Sequence, residues 1–308
     1  MARPDASLSL NPGWVGKTMK QKKSVFVAFA FLMMLGNLSF AVAADQNPEQ
    51  EDKPVQFLFI HHSCGGQLMA NVGTDNGSKC IYTSHPNGGG LRSLLEGNGY
   101  AVNEASYGSA VGDKTDICHW NKKFRDQMDV IIKTKNQDDL LPEGVTNEVV
   151  AFKSCFPNNH FIGEGNQPGD PDSCELTLAN AKAAYNSLLP YFQKHPEVYF
   201  VAFTAPPLAK TPGFKGFVKN IFKGSPKHPE LARKFNNWLM DRENGWLAGY
   251  STANVGVFDH YDVLTNQGET NWSAYPTGGG RDSHPSSEGN TKAAEAFVVF
   301  LKDALGQR

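Results

Sequence analysis

The chain lacks a marked excess of charge of either sign, internal repeats and low-complexity blocks. Beyond its first forty residues or so it also lacks any long apolar run. A formal charge of −2 over 308 residues provides no basic surface for a phosphate backbone, which excludes nucleic acid as a general partner. The missing apolar runs exclude a bundle of membrane spans. Cysteine is scarce. There are five, Cys64, Cys80, Cys118, Cys155 and Cys174, and an odd number leaves at least one thiol unpaired within the chain. Compact metal-ligand spacing is absent too: His61, His62, His119 and Asp282 are too scattered to read as a metal centre, so neither metal nor cofactor is expected.

The start of the chain reads as a targeting segment. Lys17, Lys20, Lys22 and Lys23 precede an apolar run from Val25 to Phe40, and Ala41-Val42-Ala43 supplies the small residues cut by a signal peptidase. Residues 1–43 are therefore expected to be a secretory signal peptide, with an uncleaved anchor as the alternative, and the mature protein to be secreted or periplasmic without a stable membrane span. No cysteine stands at the cleavage point to take a lipid. The leader holds five basic residues (Arg3 and the four lysines) and one acid (Asp5), so the remainder carries −6 where the whole carries −2. In an exporting compartment disulfides persist.

After a polar linker over 44–54, residues 55–308 read as one domain, long enough for a sizeable core. Val55-Gln56-Phe57-Leu58-Phe59-Ile60 is a short, nearly continuous apolar run, the pattern of a strand buried on both faces. Similar runs recur at 101–106, 148–153, 198–204 and 255–259. Helical periodicity falls between and after them, at 90–97, 120–133, 175–194, 228–243 and 287–304. Alternating strands and helices predict an α/β fold, a parallel sheet covered on both sides. In such sheets ligands bind in the crevice beyond the carboxyl ends of the strands. Ser63 follows the first run by three residues, Gly108 follows the second, and Asn158 and Asn159 follow the third. Asp282 and His284 immediately precede the last helix.

Two segments carry a family resemblance. FLFIHHSCGG resembles the strand-then-serine block that opens SGNH (GDSL-like) hydrolases, and DSHPSSEGN before an amphipathic helix resembles their closing Asp/His block. The resemblance implies a three-layer α/β/α sandwich with a mainly parallel, flavodoxin-like central sheet. It makes Ser63 the nucleophile and His284 its general base, with Asp282 as support or, alternatively, a Ser-His dyad. The backbone amides of Ser63 and Gly108 and the side-chain amide of Asn158 or Asn159 would form the oxyanion hole.

Those roles suit the chemistry. A serine hydroxyl attacks only once a neighbouring imidazole can take its proton, and a carboxylate holds that imidazole in the right tautomer. Acyl transfer also needs donors aimed at the developing oxyanion. Pro285 keeps His284 extended while Ser286 or Ser287 starts the final helix. His61 and His62 alternate across a strand end, so one is expected to pack inward and the other to support the site.

The expected substrate is an O-acyl (acetyl) ester of a carbohydrate, because exported enzymes meet polymers and the glycine-rich loops 64–90, 156–174 and 265–281 suit a broad groove. A lipid esterase or lysophospholipase is the alternative if Phe214, Phe217, Val218, Ile221 and Phe222 line a basic amphipathic lid. A decayed, glycan-binding protein is another. Tyr107, Trp120, Trp272 and Tyr275 are candidates for stacking on sugar rings. For the cysteines, positions beside regular elements predict Cys155–Cys174 and Cys80–Cys118 bridges with Cys64 left over, the competing pairing being Cys64–Cys155. Oligomeric state is not legible.

Overall fold

A computed structural model describes residues 53–210 and 229–306. The leader, most of the linker and the 213–224 segment lie outside the described residues. The main sheet contains β1 (Val55–Ile60), β2 (Tyr100–Ala105), β3 (Thr134–Asn136), β4 (Asp139–Leu140), β5 (Val149–Lys153), β6 (Tyr199–Phe203) and β7 (Val255–Phe258). Its spatial order is β7-β6-β5-β1-β2-β3-β4. Every pairing from β7 through β3 is parallel, and β4 turns back antiparallel to β3 at one edge.

Side chains alternate across each strand, so one apolar run serves two cores. Phe57 and Phe59 face a cluster with Leu68, Leu91, Leu95 and Phe297. Leu58 and Ile60 face the other, with Trp120, Phe124, Phe152 and Phe192. The first cluster is covered by α1 (Cys64–Met69), α2 (Leu91–Glu96) and α6 (Ser287–Gly306), the second by α3 (Ile117–Ile131), α4 (Leu178–Asn186) and α5 (Pro229–Met240). The result is a three-layer α/β/α sandwich, as the periodicity predicts.

Two helices depart from their expected limits. The 175–194 helix starts at Leu178, because the Thr177 hydroxyl accepts the Asn180 backbone N–H and caps it there. It ends at Asn186, and a separate short turn, Leu189–Phe192, carries Pro190 in its first residues, where proline's missing N–H costs nothing. The third helix begins at Ile117 rather than near 120, which puts Trp120 inside it. There the indole is fully buried against Phe124 and Phe152, and its Nε1–H donates to Ser154 Oγ at 2.8 Å. Trp120 is thus core and cannot stack on a sugar.

In the sheet β2 lies to one side of β1 and β5 to the other. The chain therefore reverses direction across the sheet between β1 and β5, which opens a crevice beyond their carboxyl ends. Ser63 follows one of these strands and Cys155 the other.

Candidate active site

The topology brings Ser63 and Cys155 together: Ser63 Oγ lies 3.3 Å from Cys155 Sγ. Ser63 stands immediately before α1, whose start is tightly seated. A side chain on Gly65 would collide with the His61 side chain, and one on Gly66 with the Cys80 backbone. These two glycines let the serine loop settle onto the strand end and bring Cys80 against it.

His284 arrives from the opposite side. Its Nδ1–H donates to Asp282 Oδ1 at 2.7 Å, and the same oxygen accepts the His284 backbone N–H at 3.0 Å. Burial raises the Asp282 carboxyl, but the backbone and ring of His284 outweigh it and hold the group below the ordinary carboxylate range. An ionised Asp282 thus orients the imidazole through its Nδ1. The ring packs edge-on against Phe156, centroids 5.0 Å apart, and Phe156 directly follows Cys155. Ser63, Cys155, Phe156, His284 and Asp282 form one continuous series of contacts. Among the described residues the Ser63 hydroxyl bonds to Cys155 and not to His284.

The neighbouring histidines are structural supports. His61 is fully buried and donates through Nε2 to Glu104 Oε1 at 2.8 Å, while Arg92 pairs with the other Glu104 oxygen. Burial, then Lys153 and Arg92, lower the His61 pKa to about 3. His62 donates through Nε2 to the Gly112 carbonyl at 2.7 Å, and Tyr107 stacks on its ring at 3.5 Å. Burial brings its pKa down to about 4. Tyr107 is 42% exposed at the rim, while Trp272 and Tyr275 are half-buried, the latter under the Lys292 ammonium.

No family model matches the chain, and no curated protein matches it. Solved structures are similar at a distance. One is a candidate acylhydrolase from Bacteroides fragilis NCTC 9343, 13% identical, TM-score 0.43, the match spanning 84% of this chain and 90% of that one. Another is a carbohydrate esterase whose active site displays divergent catalytic and non-catalytic binding functions, 14% identical, TM-score 0.37, spanning 81% and 65% respectively. The chemistry of this chain rests on its own residues.

The three groups expected to line the oxyanion hole beside Ser63 are engaged elsewhere in this structure. The Gly108 amide, in a left-handed turn at φ 81°, donates to Asp113 Oδ1 at 2.7 Å, so it closes its own loop and is not free for an oxyanion. Asn158 accepts the Ile117 N–H at 2.8 Å and donates to Asp116 Oδ1 at 2.8 Å. It anchors the start of α3. Asn159 donates to the Ala205 and Pro206 carbonyls at 3.0 and 2.8 Å and accepts from Asn236. Both asparagines are buried, because the short turn Phe156–Asn159 swings them beneath the crevice. Asn158→Ala is accordingly expected to cost about 1–3 kcal/mol of stability, by leaving a buried amide unpaired. Turnover should fall well short of the roughly 100-fold that removal of an oxyanion donor costs. Urea unfolding and an ester assay on the same variant check both halves.

The disulfide is also not the expected one. Cys118 is bonded to Cys174, while Cys64, Cys80 and Cys155 are free. Cys155 turns inward toward Ser63 at the end of β5, whereas Cys174 lies exposed over the first turn of α3, next to Cys118. The ligand atoms of Cys118, His119 and Cys174 come within 4.8 Å of one another, but with both sulfurs in a bridge they cannot hold an ion. The bridge joins residues 56 apart in sequence, and a loop of that size is worth about 4 kcal/mol in the chain-entropy model. Cys118→Ala with Cys174→Ala should lower the melting temperature by roughly 10 °C. An unchanged thermal transition would show that the loop is held by its other contacts.

A cavity of about 750 Å³ flanks the site on the α3 side, lined in part by Gly108, Lys114, His119, Lys122 and Arg125. Neither Ser63 nor His284 lines it; Gly108, next to Tyr107 in the chain, is on its wall.

Proposed function

We propose that this chain is an exported serine esterase of the SGNH type that removes an O-acyl group, acetyl in the simplest case, from a carbohydrate. The observation that carries this reading is the Asp282–His284 pair packed on Phe156, one residue from the cysteine that holds the Ser63 hydroxyl. On substrate entry Ser63 Oγ turns from Cys155 to His284 Nε2 and attacks the acyl carbonyl while His284 takes its proton. The Ser63 backbone amide before α1 turns from the Cys80 sulfur to meet the oxyanion. Collapse expels the sugar oxygen, which takes the proton back from His284. Water then repeats the sequence, His284 again removing the proton, and releases the acyl group as a carboxylic acid.

Two features support a polymeric, polar substrate. Tyr107 offers an exposed aromatic side chain at the rim, and a nearby cavity carries lysine, arginine, histidine and aspartate side chains among its walls. A fluorophosphonate probe followed by peptide mapping tests the nucleophile: label on Ser63 supports the reading, and absence of label there in the reduced protein overturns it. Acetyl esters turned over faster than octanoyl esters would separate the carbohydrate esterase from the lipid esterase.

A further inference from the structure

Three free thiols converge on Ser63, and a simple esterase mechanism uses none of them. Cys64 Sγ and Cys155 Sγ are 3.2 Å apart, with Ser63 Oγ 3.3 Å from the second. Cys80 lies against the Ser63 backbone and accepts a hydrogen bond from the Tyr82 hydroxyl. The two close thiols are not equivalent. Cys64 is fully buried whereas Cys155 is partly open. Cys155 also faces the Cys64 thiol, the buried Lys153 side chain and the Ser63 hydroxyl, which together drive its pKa well down despite burial. Burial and the neighbouring sulfur push Cys64 well up. The pair thus has a half-buried member pushed toward the thiolate and an enclosed member pushed toward the thiol, the directions that suit an attacking and a resolving sulfur.

We propose that Cys64 and Cys155 form a reversible dithiol–disulfide pair that switches Ser63 off when oxidised by a low-molecular-weight disulfide. The Cys155 thiolate attacks one sulfur of the small disulfide, forming a mixed disulfide and expelling one small thiolate. Cys64 then loses its proton and attacks the Cys155 sulfur, expelling the second. Two protein thiols and one small disulfide become one protein disulfide and two small thiols, with no other oxidant. Closing the gap from 3.2 Å to a bond of about 2.05 Å needs a shift of about 1 Å at the start of α1, next to Ser63. That shift displaces Ser63 itself, both its hydroxyl and the backbone amide proposed for the oxyanion. A bridge made against such displacement is the kind that small thiols readily reopen.

The pair rests on the 3.2 Å approach of the two sulfurs; only the switch rests on the esterase reading. The full chain, with Cys118–Cys174 intact, is exposed to oxidised glutathione. Non-reducing digestion should then yield a Cys64–Cys155 peptide, leaving Cys80 as the single alkylable thiol. Ester turnover should fall at least tenfold and return with dithiothreitol. The Cys118→Ala, Cys174→Ala variant should switch in the same way, which separates the effect from the structural bridge. Cys64→Ala should stop at glutathione on Cys155, because the resolving thiol is gone. Cys64 and Cys155 both remaining alkylable, or cross-linked protein retaining its turnover, overturns the proposal. Failure of the esterase reading shows separately, as lack of turnover in the reduced protein, and the cross-linked peptide then decides the pair by itself.

Discussion

Ser63→Ala is expected to lower kcat/KM for an acetyl ester by a thousandfold or more, a loss of ~4 kcal/mol in transition-state stabilisation. The melting temperature should barely move, since the hydroxyl it removes contacts one partly open thiol. His284→Ala should match it, because proton transfer and attack fail together when either group is missing. Asp282 bonds both the ring and the backbone of His284, so Asp282→Asn disturbs tautomer and loop together and should cost at least about 100-fold. A mild effect at Asp282 would mean that the Ser-His dyad suffices. A Ser63→Ala enzyme keeping more than about a tenth of the wild-type kcat/KM, a change under ~1.4 kcal/mol, would remove Ser63 as nucleophile.

Acid should weaken the fold before its carboxylates are titrated. His61 and His62 have folded pKa values of about 3 and about 4 against an ordinary 6.5. The cause is burial first, and His260, fully enclosed among Phe203 and Phe258, is lowered in the same direction. These imidazoles stay neutral in the fold, while the unfolded chain takes up protons below pH 6.5. Their contribution is therefore complete above 6.5 and shrinks as pH falls toward the folded values. At 1.36 kcal/mol per pH unit, the fully buried His61 accounts for about 2 kcal/mol lost by pH 5, and His62 adds a smaller loss of the same sign. The urea midpoint should fall accordingly between pH 7 and pH 5, and His62→Gln should flatten the slope. A midpoint independent of pH over that interval would show that water reaches these rings.

This sensitivity has a structural origin in the strand end that also positions the nucleophile. His61 and His62 occupy the two residues between β1 and Ser63, with His61 bound to Glu104 on the neighbouring strand and His62 to the Gly112 carbonyl. Their hydrogen bonds hold the serine loop in place. Protonation would loosen the loop, so loss of fold and loss of site should run together.

The amino-acid pattern by itself determined the layers. Apolar runs at 55–60 and 148–153 agree with the strands at Val55–Ile60 and Val149–Lys153 because a strand buried on both faces has no polar alternation to disguise it. The pattern also put Ser63 after the first strand and His284 before the last helix. Which side-chain groups are free, and which sulfurs meet, was decided by tertiary structure. Gly108, Asn158 and Asn159 stand after the expected strands, yet their donors are taken by Asp113, Asp116 and the 205–206 carbonyls, partners up to 47 residues away. Cys118 meets Cys174 and Cys64 meets Cys155 for the same reason. Backbone periodicity records hydrogen bonding and burial within an element, whereas a loop side chain chooses among partners that only the packed sheet brings within reach.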